Sequence, residues 1–395
     1  MTPAARTQAA IELLDEIVAA AASGGAAADT LIARYFATRR YAGSKDRRAV
    51  RELVYAAIRQ AGPVPSSGRA AMLAVADRDP AIAATFDGTG HGPAPMTSDE
   101  PRAAAGVAPS WLVEALKASG LDATQQAALV ERAPLDIRVN SLATTRAAVL
   151  EQWPDAVPTP HAPMGLRLPN GTPIEQSDPY RAGLVEVQDE GSQLVGAALA
   201  AKPGEWIVDL CAGAGGKTLQ LAAAMNNQGA LLACDIDRAR LQRLAPRAER
   251  AGATIIESRL LNPGCEVEML SDWSGKADGV LIDAPCSGTG TWRRNPEARW
   301  RLTPERLARL GMMQTEVLEI GAGLVKPGGR LVYIVCSLLD AEGTDQVAAF
   351  LSRHSGWSAE PVDPAIGVPH GFGQRLDPAT HGTDGFFVAC LRAPC

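Results

Sequence analysis

The chain has 395 residues, of which 46% are hydrophobic, 21% charged and 5% aromatic, and its 38 basic and 44 acidic residues leave a net charge of -6. This profile excludes a disordered or fibrous chain, and a length well above the ~150 residues of an average domain points to two or three domains. No run approaches the ~18 uninterrupted apolar residues of a membrane span. The Ala-rich start carries Glu12, Asp15 and Glu16, where a secretory signal would be free of acids, so a cytoplasmic protein without membrane attachment is expected. The 7 cysteines are odd in number and lack a C-x-x-C, and only 5 histidines are present, so neither a disulfide framework nor a metal site is expected.

In chain order, residues 9–58 carry apolar side chains at helical spacing, as at Ile11, Leu14, Ile17 and Val18, which predicts a helical domain over residues 1–85. Its bases cluster: Arg34, Arg39, Arg40, Lys45, Arg47, Arg48, Arg51 and Arg59 face only Asp46 and Glu52. Residues 86–106 are dense in Gly, Pro, Thr, Ser and Asp and read as a linker. Pro109 and Ser110 suit a helix start, Leu135–Val139 reads as a strand, and a Pro-rich passage follows, giving a small α+β unit over residues 107–186.

From residue 187 the texture changes to alternating short strands and helices. Strands are predicted at Trp206–Leu210, Ala230–Cys234, Thr254–Glu257, Gly279–Asp283, Arg330–Cys336 and Thr383–Leu391, with helices near 217–225, 238–251 and 304–325. Such alternation means an α/β domain with a parallel, doubly wound sheet. A second basic run holds Arg293, Arg294, Arg299, Arg301, Arg306 and Arg309. It reads either as a solvated helix face or as a track for nucleic-acid phosphates. No heptad seam demands a partner copy, and a monomer is expected.

The first strand runs into Cys211-Ala212-Gly213-Ala214-Gly215-Gly216-Lys217-Thr218. Its glycines permit a tight strand-to-helix turn and close approach of backbone to a ligand. Asp235, about 20 residues on, stands where an acid accepts hydrogen bonds from ribose hydroxyls. An adenosine-containing ligand follows, but NAD fits poorly because G-x-G-x-x-G is not matched. A P-loop is the rival, since Gly216-Lys217-Thr218 has its tail and Val280–Asp283 resembles a magnesium-holding strand; Cys211 stands in place of its first glycine. S-adenosylmethionine, which has no phosphates, suits the short loop.

Two further strand ends carry thiols. Asp283-Ala-Pro-Cys286-Ser-Gly-Thr-Gly290 follows one, and Val335-Cys336-Ser337 ends another. In an open parallel sheet both lie at the ligand-binding edge. A lone cysteine there is usually a small buried hydrophobe; two beside a carboxylate suggest chemistry.

These residues resemble the Sun/RsmB group of RNA (cytosine-5)-methyltransferases, which includes the Nop and NSUN proteins. The likeness lies in Val187-Gln-Asp-Glu-Gly-Ser192, the Gly-rich turn, Leu281–Gly290, Arg293-Arg-Asn-Pro296, Leu331–Ser337, Thr383–Val388 and Arg138-Val-Asn140. Tyr41–Arg59 is similar to the NusB-like RNA-binding domain of the bacterial ribosomal RNA members. The resemblance implies a class-I (Rossmann-like) methyltransferase domain over residues 187–395 that uses S-adenosylmethionine to methylate cytosine C5 in RNA. Ribosomal RNA is the expected substrate, with transfer RNA open.

By the same resemblance Cys336 attacks cytosine C6, Cys286 serves product release and Asp283 contacts the base. Residues 211–217, Asp235 and Asp283 hold the cofactor. Arg293 and Arg294, with Arg39, Arg40, Arg47 and Arg48, are expected to bind RNA. One position departs: where the family has an acid contacting adenine, this chain has Arg259, within Glu257-Ser-Arg-Leu-Leu261. Either Glu257 substitutes through a register shift or the contact is missing. A non-catalytic RNA-binding factor on the same fold, and a P-loop NTPase acting on RNA, are the competing functions.

Overall fold

The computed structural model describes residues 1–362 and 366–395. Its contacts divide the chain into two units: residues 1–132 with 291–304, and residues 133–290 with 305–395.

The first unit is helical. α1 (Pro3–Ser23) starts where the Thr2 hydroxyl accepts from the Ala5 N–H, has Pro3 in its first turn, and stops at Gly24 in the left-handed region (φ 71°). α2 (Ala28–Ala37), α3 (Ser44–Gln60) and α4 (Gly68–Ala76) follow. Leu13, Leu14, Ile17, Val50, Val54, Ile58, Met72 and Leu73 form its core, each buried side chain contributing roughly 1.5–3 kcal/mol. Gly68 lets α4 begin against α1: a Cβ there would lie 2.1 Å from the Ile11 carbonyl oxygen.

Residues 86–106, expected to be a linker, are tied to these helices instead. Ala103 N–H donates to the Ala70 carbonyl (3.0 Å), Gly106 N–H to that of Gln60 (3.1 Å), and Arg69 pairs with Glu100. Gly and Pro content marks irregular backbone; it does not mark loose backbone. Residues 107–132, assigned from sequence to the α+β unit, group with the helices as well, and there the helix Ser110–Ala118 buries Leu112 and Leu116.

The segment 291–304, which the sequence places within the α/β domain, completes this unit. A Glu297 carboxylate oxygen accepts from Ala28 N–H (2.9 Å) at the start of α2. The buried Arg299 guanidinium donates to the carbonyls of Ile58 (2.5 Å) and Ala61 (2.8 Å) at the end of α3, and the Trp300 indole N–H donates to Gly62 (3.1 Å). An acid at a helix start and a cation at a helix end each satisfy backbone groups that the helix leaves unpaired.

The second unit holds two sheets. The smaller is antiparallel, in the order β2 (Val157–Pro158), β3 (Gly165–Leu168), β1 (Leu135–Val139), β4 (Val185–Val187). The larger contains parallel β5 (Trp206–Asp209), β6 (Ala230–Asp235), β7 (Ile256–Leu260), β8 (Ala277–Asp283) and β9 (Val325–Val335), ordered β9-β8-β5-β6-β7. Antiparallel to β9 runs β13 (Phe386–Arg392), which also pairs β10 (Ser358–Glu360) and β12 (Gly373–Leu376); β12 pairs β11 (Val368–His370). The two sheets are joined by buried polar groups. Glu186 on β4 binds Arg247 (2.8 Å) and Arg250, and the Asn140 amide donates to the carbonyls of Gly183 (2.9 Å) and Ala251 (2.8 Å).

Two local expectations need correction. The helix predicted over 238–251 is two, Arg238–Leu241 and Leu244–Ala251, because Pro246 lacks the N–H that would bond back to Gln242. The strand predicted at Thr254–Glu257 is β7, displaced toward the carboxyl end.

Candidate active site

Strand order reverses between β5 and β8: β6 and β7 extend one side, β9 the other. The loops leaving their carboxyl ends diverge and open a crevice. β8 stops at Asp283, since Pro285 removes a ladder donor and keeps the preceding residue out of helix.

On the β5 side, the loop turns on Gly213 (φ 56°) and Gly215 (φ 86°), and a Cβ at Gly215 would lie 2.1 Å from Leu244 Cδ1. Gly213 N–H donates to one Asp235 carboxylate oxygen (2.7 Å) and Asp237 N–H to the other (2.7 Å), so the acid at the end of β6 is oriented by backbone. Behind the loop, the buried Arg138 guanidinium donates to the Gly216 carbonyl (3.4 Å), which gives the Arg138-Val-Asn140 stretch a supporting part. Burial pushes the Cys211 thiol far up, and Cys211 belongs to the loop as a small packed residue.

These features fit an S-adenosylmethionine. Space beyond Gly216 is open to any added Cβ, Asp235 keeps free lone pairs, and the enclosed Asp209 Oδ1 has no donor although Thr218 serves the other oxygen (2.6 Å). Residues 211–217 and Asp235 would hold the group. Lys217 does not reach into the loop as a P-loop lysine would. Its ammonium donates to Asp283 (2.7 Å), and although burial alone would lower its pKa, Asp283, with Cys336 adding, holds it above the ordinary value.

On the β8 and β9 side, Cys286 and Cys336 meet with their sulfurs 3.3 Å apart. The hydrogen bond with Cys336 is the largest influence pushing the Cys286 thiol far up, followed by burial and by the charges of Cys336 and Glu342. The two loops share a polar seam that the sequence reading missed. Ser287 and Ser337 both bond the fully buried Glu342, and Thr289 lies 3.1 Å from Ser337. The one advance signal was the repeated Cys-Ser pair.

The departure at Arg259 also resolves. Arg259 lies inside β7, opposite Cys234 of β6, and its guanidinium binds Asp272 (2.6 and 3.0 Å) and Glu257 (2.6 Å). Glu257 is thus engaged by Arg259 and pairs with Leu232, three positions short of the strand edge where Asp235 pairs with Leu260. At the edge itself, Leu261 N–H donates to the Asp235 carbonyl (2.9 Å).

The expected RNA contacts divide. Arg293 is buried, with its guanidinium on the Arg132 carbonyl (3.4 Å), and Arg299 is spent inside the helical unit, so these two belong to neither a solvated face nor an open phosphate track, whereas Arg306 and Arg309 of the same run are exposed. Arg294 stays partly exposed. Arg39 lies 3.5 Å over the Tyr35 ring and 3.6 Å from Glu12, whereas Arg40, Arg47 and Arg48 are exposed together with Arg34 and Lys45.

A parallel sheet reversing at β5/β8, an antiparallel strand beside β9, a glycine loop after β5 and an acid ending β6 define a class-I S-adenosylmethionine-dependent methyltransferase fold. A family model described as 16S rRNA methyltransferase RsmB/F matches residues 196–392. The ribosomal RNA small subunit methyltransferase B of Xylella fastidiosa is 35% identical over 290 residues, covering 72% of this chain and 68% of that one. A probable ribosomal RNA small subunit methyltransferase B of Synechocystis sp. is 37% identical over 303 residues, covering 72% of this chain. The chain spans 66% of that Synechocystis relative's length. The crystal structure of PH0851 is similar over 99% of both chains, with 25% identity and a TM-score of 0.77. The chain belongs to the RsmB/F family of ribosomal RNA methyltransferases.

Among the described residues, no helix is long and apolar enough to cross a membrane, and no group of three potential ligands is placed to hold a metal.

Proposed function

We propose that this protein methylates C5 of a cytosine in ribosomal RNA through a covalent adduct on Cys336. The observation that carries the reading is the thiol pair, 3.3 Å apart at the same sheet edge as Asp283 and Lys217. Cytosine C5 is a poor nucleophile until a thiolate adds to C6, when the electrons of the C5–C6 double bond become available at C5. S-adenosylmethionine, when bound, supplies an electrophilic methyl group on a sulfonium.

Cys336 forms the S–C6 bond. Asp283, 34% exposed and braced by Lys217, presents its carboxyl to the base. Cys286 is held as a thiol chiefly by Cys336. Once the Cys336 sulfur is bonded to C6 its charge is gone and that hold relaxes. With the methyl group bonded to C5 and its bond to the sulfonium broken, Cys286 gives its own proton to solvent and, as the thiolate, takes the C5 proton; the electron pair of that C–H bond restores the C5–C6 double bond, and the S–C6 bond breaks with its electrons returning to the Cys336 sulfur. The roles of the two thiols are those implied by the resemblance of their loops to the family, and their contact at 3.3 Å lets both reach one base.

RNA binding is supported by the exposed bases Arg34, Arg40, Lys45, Arg47 and Arg48 on and between α2 and α3. Such a surface would hold phosphates without reading sequence, with affinity that falls as salt rises. The target base must be unpaired or flipped to enter the crevice.

The test is transfer of labelled methyl groups to RNA from a strain lacking this gene, followed by digestion to nucleosides. Label in 5-methylcytosine is expected, with none above background for Cys336→Ala. Cys286→Ala should retain a protein–RNA adduct that survives denaturing electrophoresis. No label on naked RNA or on small ribosomal subunits would overturn the reading in favour of a binding factor, which the engaged Arg259 position would accommodate.

A further inference from the structure

The two cysteine loops leave different strands, yet each thiol is followed by a serine and both serines end on one side chain. Glu342 is fully enclosed and accepts from Ser287 N–H (2.8 Å), the Ser287 hydroxyl, the Ser337 hydroxyl (2.5 Å) and the Gln314 amide (3.0 Å). Among the described residues no cation pairs with it. The Ser287 and Ser337 hydroxyl oxygens lie 3.2 Å apart, both turned to Glu342, and the Tyr333 hydroxyl donates to the Glu342 carbonyl (2.7 Å).

We propose that Glu342 is the positioning residue of the thiol pair: one enclosed carboxylate that, through Ser287 and Ser337, locks the loop after β8 to the loop after β9 and so holds Cys286 against Cys336. This inference rests on the reading of those thiols as the catalytic pair. Enclosing a carboxylate without a counter-ion is costly, and hydrogen bonds from several donors are what offset it. The four donors here come from three separate chain segments, and two of those segments bear the thiols. A carboxylate serving only loop closure would need donors from one loop. Its charge also acts on Cys286, after the hydrogen bond with Cys336, burial and the charge of Cys336, and against the lowering by the Gly288 backbone; it helps keep that thiol protonated.

The test uses the full chain without RNA or cofactor. Iodoacetamide labelling at pH 8 is followed by mass mapping, with the exposed Cys265 as internal standard. Glu342→Gln keeps the size and removes the charge, and the Cys286:Cys265 labelling ratio is expected to rise threefold or more while a cooperative melt persists. An unchanged ratio in the folded variant overturns the proposal. Should Glu342→Gln fail to fold, Ser337→Ala removes the link to Glu342 from the β9 side, together with that hydroxyl's contacts to Ser287, Thr289 and Leu339 N–H, and a change of at least twofold in the same ratio is expected; no change overturns it. Because labelling needs neither substrate nor turnover, failure of methyl transfer in the wild type would sink the functional reading and leave this result standing separately.

Discussion

Asp209 ends β5 with one oxygen on Thr218 and the other unpartnered, and burial, the largest influence, pushes its carboxyl up to about 7 from the ordinary 3.8. The native state therefore holds a proton here between about pH 4 and 7 that the unfolded chain releases. That contribution to stability is complete below the unfolded value and is lost as pH rises through 7. Asp209→Asn cannot lose the proton, so its melting temperature should fall less than the wild type's between pH 5 and pH 8, by a few degrees. Parallel pH curves for the two proteins would show that the carboxyl is ionised throughout. At this scale much of the site was legible in the sequence. Glycines at a strand-to-helix turn, an acid closing the next strand and thiols at strand ends each have a local cause. Glu342 was not, because its role arises from donors at Ser287, Gln314 and Ser337, which only the folded sheet brings together.

Among the elements, the segment 291–304 has the largest consequence. Its Trp300 packs in the core of the helical unit and its Arg299 satisfies the last carbonyls of α3. Trp300→Ala should cost about 3–5 kcal/mol of that unit's stability, read from denaturant unfolding. A loss below about 1 kcal/mol would mean that the unit closes without the indole. Sequence reading placed Arg293 among the nucleic-acid contacts because clustering of charge is visible in a sequence and burial is not. The displacement of β7 has a similar origin. Ile255 and Ile256 mark a strand, but pairing with β6 decides where it ends, and it carries Arg259 into the ladder.

For the whole molecule, the alternation of strands and helices made the parallel sheet and its class readable from residue 206 onward. The division into units was not, since it depends on a stretch some 160 residues beyond the rest of the helical part. A fragment of residues 1–132 should therefore show helical far-ultraviolet dichroism but no cooperative melt, and a peptide of residues 291–304 added in trans should restore one. A cooperative melt of the fragment alone would show that the segment is dispensable.

Growth from the ribosome gives that arrangement a time axis. At about 5–20 residues per second, the helices exist for roughly ten to thirty seconds before the residues that seal them have been made. During that interval the nascent chain presents an unfilled apolar seat and uncapped helix ends, a state suited to chaperone attention. The order of synthesis thus keeps the helical part unfinished until the Asp283–Cys286 stretch has already emerged.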